Sequence, residues 1–351
     1  MFECCSGPLL EEMRETCLTK LAIVVTTINQ PTQAVLELRD GCHKHSGRFY
    51  VMGDSKSPKD FALPGADYLD VDAQVVTGFE FAKIVPTRHY ARKNVGYLCA
   101  IRDKAQMIIE TDDDNLPLED FWHARTRKVK AKVATAAGWH NVYRHFSDAN
   151  IWPRGLPLDK VLSEPESFEG MKVVERDCPI QQGLADDNPD VDAIYRLVLP
   201  LPIKFKTGRK VILDPGVWCP FNSQNTAWWP DAYPLLYLPY HCSFRMTDIW
   251  RSFVAQRIAW ENGWSVLFHS ATMWQDRNEH NLMRDFADEV VGYLNNDKIA
   301  KALDELNLAK GTGAMGHNLI KCYDTLIGLG VVGAEERPLL KAWVSDLEKL
   351  A

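Results

Sequence analysis

The residues with the clearest chemical capacity are Asp112, Asp113 and Asp114, adjacent carboxylates followed by Asn115 and then Pro117. Like charges this close disfavour one another's ionised form unless a cation or hydrogen-bond donors compensate. A hard divalent cation, Mg2+ or Mn2+, suits such oxygens, and diphosphate oxygens could complete its coordination. It would then act as a Lewis acid on a leaving phosphate. In an extended segment alternate residues share a face, so Asp112 and Asp114 are the expected ligand pair, with Asp113 turned elsewhere. The competing reading is a solvated acidic turn that caps a following helix.

The elements around this run decide what it can reach. Met107 to Thr111 (MIIET) reads as a strand ending at the run. Leu21 to Thr27 (LAIVVTT) is a β-branched apolar run that reads as a buried parallel strand. A helix-like stretch from Gln33 to Arg39 follows, then a second strand from Phe49 to Gly53 that stops at Asp54. This strand–helix–strand opening predicts an open α/β sheet, in which ligands bind at the carboxyl ends of the strands. Thr26, Thr27, Asp54 and the acidic run would then share one edge. Arg88 to Arg102 has a helical apolar face. From about residue 120 to 245, Pro, Trp and Gly interrupt every pattern, and short strands such as Lys210 to Leu213 are expected. Asp248 to Trp260 reads as a helix with Asp248 near its N-cap, and Ser265 to Phe268 as a strand ending at His269. Beyond Asn281 helical spacing dominates to Leu350, with breaks near Gly311 to Gly316 and Gly328 to Gly333.

Composition narrows the class. The chain has 351 residues, a net charge of −7 and no basic block, which argues against a nucleic-acid surface. The nine cysteines are scattered without a CxxC pair, so reduced thiols in the cytoplasm are expected. No signal peptide and no run of the ~20 apolar residues a membrane span needs can be read. The expected location is cytoplasmic, or peripheral to a membrane.

VVTTINQP, ARKNVGYLCAI, IIETDDDN, FNSQNT, FRMTDIWRSFVAQRIAW and QDRNEHNL stand in this order over roughly residues 20 to 290. In these segments the chain resembles the STELLO-type glycosyltransferases. A weaker similarity, in the GY…DDD arrangement, is to the reversibly glycosylated polypeptides that act as sugar-nucleotide mutases. The STELLO resemblance implies a GT-A-like, nucleotide-sugar-binding open sheet with a helical C-terminal portion. It also implies a UDP- or GDP-sugar donor and a divalent metal, Mn2+ or Mg2+, held by the acidic run. The expected organisation is an N-terminal extension over 1–19, a catalytic domain over 20–275 and a helical region over 276–351. Within the catalytic domain a nucleotide-binding half covers about 20–118 and an acceptor half about 119–275. Plant STELLO proteins carry a membrane anchor before this domain; none is expected within this sequence.

On that footing further residues acquire candidate roles. Asp114 is expected as a direct metal ligand, Asp112 as a ligand or ribose contact, and Asp113 as a donor contact. In GT-A enzymes positions such as Thr26, Thr27 and Asp54 hold the nucleoside, although Asp54 could equally close an Asx-turn. Arg88, Arg92, Lys93 and Asn94 are candidates for a diphosphate that gains charge as it leaves, or else form a solvated basic face. His269 is a candidate to complete the metal shell, which would favour Mn2+, or is a structural histidine. Asn278 and His280 lie near the same segment. Asp248 is either a helix cap or the general base for an acceptor hydroxyl, kept ionised by Arg245. Asn222, Gln224 and Asn225 offer amides to sugar hydroxyls. The reaction expected is glycosyl transfer to a glycan, lipid-linked or other hydroxyl acceptor. The alternatives are a sugar-nucleotide mutase or nucleotidyltransferase, and a non-catalytic scaffold.

Overall fold

A computed structural model describes residues 21–276 and 281–351. The expected extension over 1–19, together with Asn278 and His280, lies outside the described residues. Among the described residues there are thirteen strands: β1 Leu21–Thr26, β2 Arg48–Met52, β3 Asp67–Leu69, β4 Met107–Thr111, β5 Asn115–Pro117, β6 Lys128–Ala134 and β7 Gly138–Trp139, then β8 Val173–Asp177, β9 Ile180–Asp186, β10 Lys210–Leu213, β11 Val217–Trp218, β12 Asn225–Trp228 and β13 Val266–Gln275. The main sheet runs β3-β2-β1-β4-β12-β9-β13-β10-β6-β8, with β5 added to β13 and a separate β7–β11 pair. The fold is α/β, as the strand–helix–strand opening predicts, and GT-A-like, as the resemblance implies.

Strand directions decide where the site forms. β2, β1 and β4 run parallel, β12 opposes β4, β9 opposes β12, and β13 runs parallel to β9. The carboxyl ends of β1, β2, β4, β9 and β13 therefore share one edge with the amino end of β12. The continuous apolar runs of β1 and β4 follow from burial on both faces. Val24, Tyr50 and Ile108 pack into one core, while Ile23, Val25, Val51 and Ile109 pack into the other. Helix Lys93–Arg102 sits so close to the sheet that a Cβ on Gly96 would lie 2.5 Å from Val24 Cγ1. Only glycine permits this approach.

Two boundaries differ from expectation. The last long strand does not stop at His269 but continues to Gln275, with an irregularity between His269 and Met273. That irregularity breaks the local alternation, so the sequence hides the continuation. The final helix of the catalytic region spans Thr247–Glu261, and Met246 rather than Asp248 occupies its N-cap. Asp248 lies inside the first turn.

The C-terminal helices Leu282–Asp304, Met315–Gly328 and Glu336–Leu350 pack on the same core as the sheet. They also supply buried carboxylates to backbone donors. Glu336 accepts from the N–H groups of Tyr240 and His241, and Asp346 from those of Glu80 and Phe81. No described helix is long and apolar enough to cross a membrane. The described cysteines are unbridged.

The deepest polar contact pins β4. The carboxylate of Glu110, with no solvent exposure, accepts from Arg251 Nη1 at 2.8 Å, Trp228 Nε1 at 2.9 Å and the Tyr97 hydroxyl. Arg251 also lies over the Trp228 ring, 5.1 Å from its centroid. Removing one member of such a buried pair strands the other charge, at a cost of about 3–5 kcal/mol. Glu110→Ala is expected to lower the unfolding free energy by about that amount. Urea denaturation checks this, and a loss below ~1 kcal/mol would contradict the pinning role.

Candidate active site

A cavity of about 430 Å3 opens at the shared strand edge. Thr26 and Thr27 line it from the end of β1, Asp54 from beyond β2, and Asp112, Asp113 and Asp114 from beyond β4. Gln275 reaches it from the end of β13, and Asn222 and Gln224 from the approach to β12. Asp248 and Arg245 line it too.

The acidic run is splayed rather than alternating, because it occupies the tight turn between β4 and β5. Asp112 Oδ1 accepts from Lys93 Nζ at 2.8 Å. Asp113 Oδ2 accepts from Thr27 Oγ1 at 2.5 Å and Asn29 Nδ2 at 3.1 Å. Asp114 Oδ2 accepts from Gln275 Nε2 at 3.0 Å. Desolvation raises the Asp112 carboxyl above its ordinary range, and the negative charges of Asp248 and Asp113 add to the rise although Lys93 opposes it. Asp112 thus carries negative charge that the protein compensates only in part.

Asp54 serves the backbone. Burial pushes its carboxyl up, but N–H donors from Arg88, Ser55 and His89 outweigh it and hold the group below its ordinary value. Arg92 is buried, giving Nε to Gln74 at 2.8 Å and Nη1 to the Val85 carbonyl at 2.9 Å. Its Nη2 lacks a partner, and the residue lines the cavity. Arg88 adopts φ +66° and, like Lys56, is an exposed cation at the cavity with no ion-pair partner among the described residues.

Several expectations are corrected. Lys93 lies behind the wall and not on it: its ammonium bonds the Thr111 carbonyl and Asp112, so it positions the acidic run. Asn94 is buried and pairs with the backbone of Leu238 through both amide atoms. Asn225 is buried too, giving its amide to the Leu184 carbonyl and Thr272 Oγ1. His269 sits within the sheet because β13 continues past it, and its Nδ1 contacts the Ser270 carbonyl at 2.9 Å. A Cβ on Gly183 would fall 2.4 Å from Asn225 Nδ2 and 2.6 Å from His269 Cε1, so both side chains fill the space above that glycine. Neither lines the cavity, and no group of three or more His, Cys, Asp or Glu among the described residues forms a ready-made metal cage.

Arg245 does not hold Asp248. It pairs with the buried Glu289 at 2.8 Å. The partner of Asp248 is Arg154, which the sequence did not single out. Arg154 binds Asp248 through Nη1 at 3.1 Å and Nη2 at 3.0 Å, and Asp190 through Nε and Nη2, each at 2.8 Å. Its Nη1 also bonds the Arg245 carbonyl. Asp248 further accepts from Ser223 N–H and the Tyr90 hydroxyl, each at 3.2 Å. Burial would raise the Asp248 carboxyl, but Arg154, Arg251 and the Ser223 N–H together depress it to about 2. So acidic a group is a weak proton acceptor near neutral pH, which argues against the general-base role. Gly155, at φ +92°, makes the clamp possible, since a Cβ there would lie 2.4 Å from Ile249.

The family model of the STELLO glycosyltransferases matches residues 245–351. The chain is similar to "Probable glycosyltransferase STELLO2" of Arabidopsis thaliana, 28% identical over 94% of this chain and 45% of the relative. It is also similar to "Probable glycosyltransferase STELLO1" of the same plant, 29% identical over 72% of this chain and 35% of the relative. The chain is similar to STELLO-type glycosyltransferases. It spans less than half the length of either relative. The segment matched by the family model begins at Arg245 and contains Asp248, Arg251, Gln275 and Glu289. The STELLO2 alignment extends over nearly the whole chain and takes in the acidic run.

The corrected place of His269 has a measurable consequence. Desolvation, helped by the Arg125 charge, depresses its imidazole to about 3. The unfolded chain takes up a proton near pH 6.5 that the native state refuses. His269 therefore contributes stability above pH 6.5 that is lost progressively as the pH falls towards the native value. His269→Asn is expected to reduce the slope of unfolding free energy against pH by up to ~1.4 kcal/mol per unit between pH 4 and 6. Urea titrations at several pH values test this; an unchanged slope would show an imidazole open to protonation.

Proposed function

We propose that the cavity binds a nucleotide-sugar with a divalent cation and transfers its glycosyl group to a hydroxyl acceptor. One observation carries the reading: three adjacent carboxylates line a single cavity with Lys56 and Arg88, cations that have no ion-pair partner among the described residues. The volume suits a ligand of nucleotide-sugar size. The relatives' printed names support the reaction class.

The residues fit a cation. The Asp112 carboxyl is only partly compensated, and the run offers hard oxygen donors. Without a cage of protein ligands, a cation would rest on Asp112 and Asp114 and take its other oxygens from water and diphosphate, the manner in which Mg2+ is commonly held. When bound it would neutralise charge on the leaving diphosphate. The chain's own part is positional. Lys93 fixes Asp112, and Gln275 fixes Asp114. Thr27 and Asn29 fix Asp113. Arg88, Lys56 and the unpartnered Nη2 of Arg92 suit phosphate oxygens. Asp248, too acidic to take a proton efficiently, holds Arg154 in place at the cavity.

Thermal unfolding with UDP, GDP and their sugars, with and without Mn2+, tests the proposal. A nucleotide-dependent shift that requires Mn2+, together with slow donor hydrolysis, is expected. Asp112→Asn should weaken the Mn2+-dependent nucleotide affinity at least about tenfold, because the charge facing the cation is lost. A shift accompanied by isomerised donor would replace transfer with mutase chemistry. No shift with any nucleotide would overturn the reading in favour of a scaffold.

A further inference from the structure

The cations of the cavity differ in what they leave free. Five cationic side chains line it among the described residues: Lys56, Arg88, Arg92, Arg154 and Arg245. Near the Asp54 loop, Lys56 and Arg88 have no ion-pair partner and Arg92 Nη2 has no hydrogen-bond partner. Around the Arg154 clamp both cations are consumed. Arg245 is paired with Glu289. A guanidinium has five N–H donors. Those of Arg154 are matched by the two oxygens of Asp190, the two of Asp248 and the Arg245 carbonyl. His89, the nearby imidazole, is depressed by desolvation to about 4 and is neutral at physiological pH.

What remains available around this clamp is acceptor capacity. Asp248 is crowded, taking Tyr90, Ser223 and Ile249 donors besides Arg154. Asp190 is not. Each of its carboxylate oxygens takes one hydrogen bond from Arg154, and a carboxylate oxygen has two lone pairs. The residue is 7% exposed and lines the cavity. A hydroxyl-bearing ligand can donate to those lone pairs, whereas a carboxylate brought there would meet two anions and no unengaged cation.

We propose that Asp190, held by Arg154, is the specificity residue for the transferred group, and that this group is a neutral sugar whose hydroxyls donate to Asp190. Acidic sugars, the uronic acids, are disfavoured. The inference rests on the nucleotide-sugar reading and names the substrate class within it. Discrimination comes from a repulsive element as much as from an attractive one. Arg154 acts through Asp190 and is a positioning residue.

Calorimetry with Mn2+ on matched pairs tests this: UDP-glucose with UDP-glucuronate, UDP-galactose with UDP-galacturonate, and GDP-mannose with GDP-mannuronate. Within the pair whose nucleotide binds, the neutral sugar should bind at least about tenfold more tightly than the uronate. Asp190→Asn removes the charge and adds an amide donor, so it should shrink that ratio several-fold. Affinity for the bare nucleotide, whose phosphates the proposed function assigns to Lys56, Arg88 and Arg92, should stay the same and report that the cavity is intact. A uronate bound as tightly as its neutral partner would overturn the inference while leaving the nucleotide-sugar reading in place. An unchanged ratio in Asp190→Asn would also overturn it. Failure of every nucleotide to bind would overturn both.

Discussion

Everything at the site depends on where β4 stops, and Glu110 fixes that. One buried carboxylate joins Tyr97 of the helix behind the sheet, Trp228 of β12 and Arg251 of the helix Thr247–Glu261. Those are the neighbours of β4 whose ends form the cavity. A buried ion pair contributes little net stability compared with well-packed apolar residues, but it tolerates few alternative arrangements. Glu110 precedes Asp112 by only two positions. A slip of β4 by one residue would turn Glu110 to the opposite buried face of the sheet, away from Tyr97, Trp228 and Arg251.

This constraint also sets what the cavity presents. Among the described residues its lining combines the carboxylates of the turn after β4, the exposed cations Lys56 and Arg88 without ion-pair partners, and the matched cations Arg154 and Arg245. Lys93 and Arg154 are buried cations that hold cavity-lining carboxylates in place. Pre-set polar groups need little reorganisation when a ligand arrives.

Much of the fold was legible in the sequence, because continuous apolar runs reveal strands buried on both faces. The spans of β4 and β10 coincide with the expected Met107 to Thr111 and Lys210 to Leu213, and the edge shared by Thr27, Asp54 and the acidic run follows from strand order. What escaped has physical reasons. Arg154 and Asp190 lie in the stretch where Trp, Pro and Gly erase periodicity, and their pairing crosses 36 residues without a local signal. The one hint was Trp152-Pro153-Arg154-Gly155, a glycine placed where a chain must turn sharply beside a charge. His269 misled because a strand irregularity mimics a strand end. Asn94 and Asn225 misled because amides that satisfy buried backbone are indistinguishable in type from amides that meet a ligand.

The match to the STELLO family model covers 245–351 and stops short of the acidic run, yet the two are mechanically one unit. Arg251 from the matched segment holds Glu110 before the run, and Gln275 from the same segment holds Asp114 at its end. Glu289, also within it, keeps Arg245 beside the Arg154 clamp. A segment that grips both sides of a carboxylate turn cannot vary freely without moving that turn. The similarity in the C-terminal part therefore bears on the geometry of Asp112, Asp113 and Asp114 even though none of them lies inside it.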